Sequence, residues 1–88
     1  MIFYQKGALM TLGQRLRQLR EVAGLSQNEL AKRANVHRPI ISDVESGKQK
    51  SMTLENARRI ARALGVTLDL FAGPGEEEHE ELAAAAVA

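Results

Sequence analysis

The chain has 88 residues, of which 44% are hydrophobic, and this length and composition fit one compact domain with a modest core. It contains no cysteine, which excludes disulfide bonds, cysteine-ligated zinc and a disulfide-stapled secreted scaffold. No apolar run reaches the roughly 18 residues that a membrane span needs, and the start of the chain lacks the pattern of a signal peptide, so we expect a cytoplasmic protein.

The charge is distributed unevenly along the chain. The net charge is only +1, but five of the 11 acidic residues are glutamates between positions 76 and 81. Residues 1–75 therefore carry 12 basic and 6 acidic side chains, a net charge of +6. A cluster of positive charge on a small domain is expected of a protein that approaches nucleic-acid phosphates, with an ordinary solvated surface as the alternative.

Residues 1–10 follow no helical period and form an N-terminal lead, and the first helix is predicted to begin after them. Thr11 and Gln14 have the spacing of a capping box, and Gly24 is a helix terminator. Between them, apolar residues recur at helical intervals. The predicted inward stripe is Leu12, Leu16, Leu19 and Ala23.

A second, shorter helix of about eight residues is predicted after Ser26. Ser26 and Glu29 repeat the capping-box spacing, and Asn35 is suited to a left-handed helix end. The residues predicted to face inward are Leu30, Ala31 and Ala34.

The third helix is predicted to run from about Pro39 to Gly47. A proline fits the first turn of a helix, where its missing N–H costs nothing. Because the residue before a proline disfavours helical angles, either His37 or Arg38 is expected to be the cap.

A fourth helix and a last turn complete the predicted bundle. Thr53 caps the fourth helix and Gly65 ends it, and the last turn covers Thr67 to Phe71. The predicted inward stripe of the fourth helix is Leu54, Ala57, Ile60, Ala61 and Leu64. Residues 73–88 are rich in glutamate and alanine and are interpreted as a flexible acidic tail, which either competes with DNA for the basic body or only aids solubility.

Two short helices with a tight turn between them, flanked by longer helices, have the pattern of a helix-turn-helix. Small residues stand where the two helices must cross, and apolar residues fill the space between them. Residues 12–71 resemble the lambda-repressor-like, Cro-type family of DNA-binding domains. The segments that carry the resemblance are Leu25-Ser-Gln-x-Glu-Leu-Ala31, Val36, Ile41-Ser42, Glu45-x-Gly47-Lys48 and Ala63-Leu64-Gly65-Val66.

The resemblance implies an all-α, five-helix domain over residues 11–72 whose third helix enters the major groove of double-stranded DNA. We therefore predict a sequence-specific transcriptional repressor that binds a palindromic operator as a homodimer. The alternatives are an antitoxin that also binds a toxin, and a protein-interaction module that keeps the fold without DNA binding.

The exposed face of the third helix supplies the candidate base contacts. With Ile41 and Val44 turned inward, helical geometry places the opposite face toward a partner. Arg38 can bond bidentately to guanine, Asp43 can accept from a cytosine amino group, and Pro39 or Ile40 can touch a thymine methyl. A phosphate contact is the alternative for Arg38. For Asp43 the alternatives are repulsion of unsuitable DNA sequences and a simple surface charge. The full set of candidates is Arg38, Pro39, Ile40, Ser42, Asp43 and Ser46.

Other polar residues are predicted to hold the DNA backbone. Gln27 occupies the position from which members of the family typically clamp a phosphate, at the positive end of the second helix. Lys48, Gln49 and Lys50 form a basic loop beyond the third helix. The alternatives are a solvated first-turn glutamine for Gln27 and a purely solubilising loop for the other three residues. Glu45 falls near the inward side of the third helix, so we expect it to pair with a basic residue, for example one on the first helix.

The sequence does not predict an enzyme, a cofactor or a metal site. His37, Ser42 and Asp43 are the residue types of a hydrolytic triad, but they lie within seven residues on one helix and cannot converge on a substrate. His79, among glutamates of the tail, is interpreted as part of a solvated charge run.

Two apolar groups outside the bundle pattern predict the homodimer. A monomer would leave them exposed, whereas a self-complementary patch makes a two-fold interface. The groups are Ile2, Phe3 and Tyr4 near the start, and Leu68, Leu70 and Phe71 in the last turn.

Overall fold

The computed structural model describes residues 10–72, which form five α-helices. They are α1 (Leu12–Val22), α2 (Gln27–Ala34), α3 (Arg38–Ser46), α4 (Leu54–Leu64) and α5 (Leu68–Ala72). Within this described range every regular element is a helix, which confirms the predicted all-α fold. The acidic tail, and all of the N-terminal lead except Met10, lie outside the described residues.

Both predicted capping boxes are present. The Thr11 hydroxyl accepts from the backbone N–H of Gln14 at 3.0 Å, and the backbone N–H of Thr11 donates to Gln14 Oε1 at 3.0 Å. Ser26 and Glu29 form the same reciprocal pair at 3.0 and 2.8 Å. Because these bonds satisfy N–H groups that have no partner within a helix, they fix where α1 and α2 begin and make Gln27 the first residue of α2.

The turn between α2 and α3 is held from two sides. Asn35 adopts the predicted left-handed conformation, with φ 58° and ψ 49°. Its carbonyl oxygen accepts a hydrogen bond from Arg59 Nη1 at 3.0 Å, and Arg59 Nη2 donates to Glu55 at 2.6 Å. An arginine of α4 thus ties α4 to the turn that sets the angle between α2 and α3.

At the start of α3, His37 is the cap, with extended backbone angles and no side-chain capping bond. Arg38 is already the first helical residue although it precedes Pro39. The backbone N–H of Ile40 donates to the carbonyl of His37 at 2.9 Å, and this closed first turn outweighs the preference against helical angles before proline.

The core is formed by the inward faces of all five helices and the loops between them. Its buried apolar members are Leu12, Leu16, Leu25, Leu30, Ala31, Ala34, Ile41, Val44, Met52, Ala57, Ile60, Ala61, Phe71 and Ala72. Leu19, Leu54 and Leu64 of the predicted stripes are partly buried against it. Ala23 was wrongly placed in the stripe of α1: the helix ends at Val22, so Ala23 is the exposed cap beyond it.

The predicted exposure of Phe71 is also wrong. Helix α5 packs against both α1 and α4, and Phe71 points into the space between them, where it is fully buried. Leu70 stays 50% exposed, and Leu68 is partly buried. The apolar surface of α5 is therefore smaller than the sequence suggests and is centred on Leu70.

Helices α1 and α3 approach each other closely at Gly13. A Cβ atom at this position would lie inside 3.0 Å of the Val44 carbonyl oxygen, a separation that real Cβ atoms essentially never show. The missing side chain lets α1 lie directly against the backbone of α3. Gly13 therefore sets the depth at which α3 sits on the bundle.

Candidate DNA interface

The outer face of α3 carries the candidate base contacts, because Ile41 and Val44 anchor the opposite face in the core. Arg38, Pro39 and Ser46 are exposed, whereas Ile40, Ser42 and Asp43 are partly buried. The structure therefore places all six residues on or beside one face, with the most accessible of them at the two ends of the helix.

The two serine hydroxyls of α3 are engaged within the helix. Ser42 Oγ donates to the Pro39 carbonyl at 3.4 Å, and Ser46 Oγ donates to the Asp43 carbonyl at 3.1 Å. Ser46 Oγ also accepts from the backbone N–H of Lys48 at 3.3 Å. Ser46 therefore helps to end α3 and to start the loop that follows it.

The loop after α3 folds back along the helix. Gly47 has a φ of 87°, in the left-handed region, and the backbone N–H of Gln49 donates to the Asp43 carbonyl at 3.0 Å. The side chains of Lys48, Gln49 and Lys50 are exposed. The basic loop, which the sequence predicts beyond the end of the third helix, thus stands directly beside the C-terminal half of α3.

A groove of about 290 Å³ lies between this loop, α3 and the start of α4. Its floor includes Val44 and Met52, and polar groups of Asp43, Gln49 and Asn56 border it.

Gln27 connects the start of α2 with the start of α3. Its amide oxygen accepts a hydrogen bond from Arg38 Nη2 at 3.3 Å, and its amide nitrogen donates to Glu45 Oε1 at 3.0 Å. The candidate phosphate clamp and the strongest candidate base contact are therefore in direct contact. The first backbone N–H groups of α2, next to Gln27, have no partner within their helix and favour an anion.

A buried carboxylate underlies this contact. The side chain of Glu45 is only 1% exposed, and it receives two bonds from Arg20, at 2.6 Å from Nε and 2.9 Å from Nη2. Arg17 Nε lies 3.6 Å from Glu45 Oε1. The prediction that Glu45 pairs with a basic residue of the first helix is confirmed.

The environment of Glu45 keeps it ionised. Burial alone raises the pKa of this carboxyl, but hydrogen bonds from Arg20 and Gln27 and the charges of Arg20 and Arg17 outweigh burial, so the pKa lies below its ordinary value. The hydrogen bond with Glu45 in turn raises the pKa of Arg20. The pair is therefore charged throughout the physiological range.

Sequence reasoning identified Glu45 but not Arg17 and Arg20 as its partners. The available signal was their spacing: three residues apart on α1, they lie on neighbouring positions of one helix face, although that spacing does not specify a partner 25 residues away.

In the described part of the chain, no helix is long and apolar enough to cross a membrane. The same residues contain no group of three or more histidine or acidic side chains arranged to hold a metal ion.

Residues 11–72 match the model of a family described as a helix-turn-helix domain. The chain belongs to this family, and its resemblance to lambda-repressor-like, Cro-type domains is confirmed. The family is one of DNA-binding regulators, and the chain is not an enzyme.

Two similar proteins are regulators by name. The chain is 40% identical over 58 residues to control protein C.BamHI of Bacillus amyloliquefaciens, covering 65% of this chain and 70% of that protein. It is 33% identical over 64 residues to the immunity repressor protein of Bacillus phage phi105, covering 73% of this chain and 44% of that protein. The chain thus spans less than half the length of the phage repressor.

Two solved structures share the fold. The restriction-modification controller protein C.AhdI from Aeromonas hydrophila superimposes with a TM-score of 0.64 at 37% identity, covering 68% of this chain and 89% of that chain. SinR, the master regulator for biofilm formation, solved in complex with DNA, superimposes with a TM-score of 0.68 at 27% identity, covering 70% of this chain and 98% of that chain.

Proposed function

We propose that this chain is a sequence-specific transcriptional regulator that binds an operator in double-stranded DNA with α3 in the major groove. The observation that carries the proposal is the position of Arg38. Its side chain stands exposed at the N-terminal end of α3, bonded to the Gln27 amide and, among residues 10–72, paired with no acidic side chain. A guanidinium placed in this way is available for a guanine or a phosphate.

The outer face of α3 reads the bases. An α-helix with its side chains is about 10–12 Å across, so the major groove, about 12 Å wide, admits the nine residues of α3. Arg38 forms a bidentate bond with the O6 and N7 of a guanine. Pro39 and Ile40 face thymine methyl groups, and Asp43 accepts from a cytosine amino group or rejects an unsuitable base.

Groups at both ends of α3 bind the DNA backbone and thereby fix the position of the helix relative to the base pairs. Gln27, with the first N–H groups of α2, binds a phosphate on one side. Lys48, Gln49 and Lys50 bind phosphates on the other side. The direct contact between Gln27 and Arg38 supports this arrangement. When Gln27 is bound to the DNA backbone, it also positions the guanidinium of Arg38 that reads a base.

The regulator acts as a homodimer on a palindromic operator. Leu70, half exposed on α5, offers an apolar surface for a two-fold interface. Two copies then present two α3 helices to half-sites about 34–36 Å apart. Ile2, Phe3 and Tyr4, which the sequence predicts as an auxiliary strand or arm of the dimer, lie outside the described residues.

Repression of transcription is the favoured outcome of binding. The names of the relatives support a regulator: one is an immunity repressor, and the others are a control protein and a restriction-modification controller. The antitoxin alternative gains no support from these relatives.

Selection of bound sequences from a random pool of DNA tests the proposal. We expect enrichment of a palindromic consensus whose half-sites are about one helical turn apart and contain at least one guanine. Failure to enrich any sequence, or enrichment of a single half-site without symmetry, would contradict the homodimeric operator-binding function.

A further inference from the structure

Arg17 is a cation next to the interface that the proposed function does not use. It lies on α1, its side chain is 58% exposed, and its Nε is 3.6 Å from Glu45 Oε1. This separation is longer than a hydrogen bond, so charge attracts the Arg17 side chain to the carboxylate but its N–H groups stay available for another acceptor.

Glu45 does not need Arg17 for charge compensation. Arg20 supplies a complete counter-charge through two bonds, and its Nη1 also donates to the carbonyl of Leu25 at 2.9 Å. Arg20, 12% exposed, is therefore fully engaged inside the domain. With one carboxylate and two guanidinium groups, the cluster keeps one surplus positive charge, and the exposed Arg17 carries it.

The surplus charge stands on the side of the cluster where Gln27 lies. Glu45 Oε1, the oxygen nearest to Arg17, is also the oxygen that accepts from the Gln27 amide. Gln27 in turn accepts from Arg38. Glu45 Oε1 therefore brings together the guanidinium group of Arg17 and the side chain of Gln27, which is proposed to bind a phosphate.

We propose that Arg17 binds the same DNA phosphate as Gln27, so that α1 is a third element of the interface. This inference rests on the proposed DNA-binding function. Glu45 is then a positioning residue: it is screened from DNA by its partners, it holds Arg17 by charge, and it holds Gln27 by a hydrogen bond. A phosphate at this point receives a guanidinium, an amide and helix N–H groups together.

The salt dependence of DNA binding tests the assignment. Arg17→Gln keeps a polar, hydrogen-bonding side chain, although a shorter one, and removes its charge. We expect weaker binding to operator and non-operator DNA alike, and a slope of log affinity against log salt that is shallower by about one unit. The affinity loss should be about threefold larger at 50 mM than at 200 mM salt.

Arg62→Gln is the matched control. Arg62 is exposed in the last turn of α4, so this variant makes the same change in net charge away from α3 and its loop. We expect it to leave the slope unchanged, while Lys48→Gln lowers the slope as a phosphate contact should. A duplex with one neutral methylphosphonate at the phosphate next to Gln27 should bind the wild type and Arg17→Gln with equal affinity.

Three outcomes are informative. If Arg17→Gln lowers thermal stability but leaves the salt slope unchanged while Lys48→Gln lowers it, Arg17 is only a partner of Glu45, and the inference falls while the proposed function stands. If the methylphosphonate duplex still separates wild type from Arg17→Gln, Arg17 binds elsewhere. If the wild type shows no salt-dependent binding to any duplex, both proposals fall.

Discussion

Replacing Glu45 with glutamine removes the charge of the buried ion pair beneath the interface while keeping the size of the side chain. Arg20 then keeps its bond to the Leu25 carbonyl and loses two charge-assisted bonds, at 2.6 and 2.9 Å. Removing one partner of a buried pair costs about 3–5 kcal/mol, because the remaining charge stays buried without compensation. Since Arg20 is 12% exposed and retains some access to water, we expect a loss of about 3 kcal/mol, or a fall in Tm of at least about 12 °C for a domain of this size.

Equilibrium unfolding in urea measures this loss, with Glu55→Gln as the matched control. Glu55 also pairs with an arginine at 2.6 Å, but it is 69% exposed, so its replacement should cost about 0.5 kcal/mol or less. Adding Arg20→Met to Glu45→Gln should recover part of the loss, because no unpaired guanidinium then remains buried. If Glu45→Gln and Glu55→Gln cost the same, the buried pair does not stabilise the fold and the reasoning is refuted.

Three further predictions concern packing, pH and assembly. Gly13→Ala forces a Cβ against the Val44 carbonyl and should lower the free energy of unfolding by about 1–3 kcal/mol; an unchanged midpoint in urea would mean that α1 and α3 do not pack so closely. Because the pKa of Glu45 is lowered in the folded state, its stabilisation is complete above the ordinary glutamate value of about 4.3 and is lost as the pH falls through the folded value. The stability difference between wild type and Glu45→Gln should therefore shrink in acid, and a difference that persists undiminished at low pH would contradict the shift. Leu70→Ser should shift a dimer toward monomer in sedimentation, whereas Val22→Ser, at an 81% exposed apolar site on α1, should not; equal effects would argue against an α5 interface.

Local chemistry explains how much of the fold the sequence predicts. The capping boxes at Thr11 and Ser26 and the left-handed end at Asn35 depend on residues within one turn of each other, so their patterns are readable without the tertiary structure. The inward stripes follow in the same way from helical periodicity. These features were sufficient to place α2 and α3, and with them the candidate interface.

Tertiary contacts explain what the sequence does not predict. Phe71 has the same local pattern as the exposed Leu70, and only the packing of α5 on α1 and α4 decides which of them is buried. The ion pair between Arg20 and Glu45 joins residues 25 positions apart. The sequence predicts that Glu45 lies near the inward side of α3, but it does not identify the partner. The loop after α3 likewise folds back on the helix through a bond from the Gln49 N–H to the Asp43 carbonyl, and the sequence pattern does not predict this bond.

The central claim, that α3 reads bases through Arg38, is tested most directly by binding of Arg38→Ala to the selected operator and to non-operator DNA of equal length. We expect a loss of about 1–3 kcal/mol on the operator, little change on non-operator DNA, and relaxed discrimination at one base position per half-site. Arg62→Ala, which removes the same charge from α4, should leave both affinities nearly unchanged. An equal loss on operator and non-operator DNA would contradict base reading by Arg38 and reduce it to a contact with the DNA backbone.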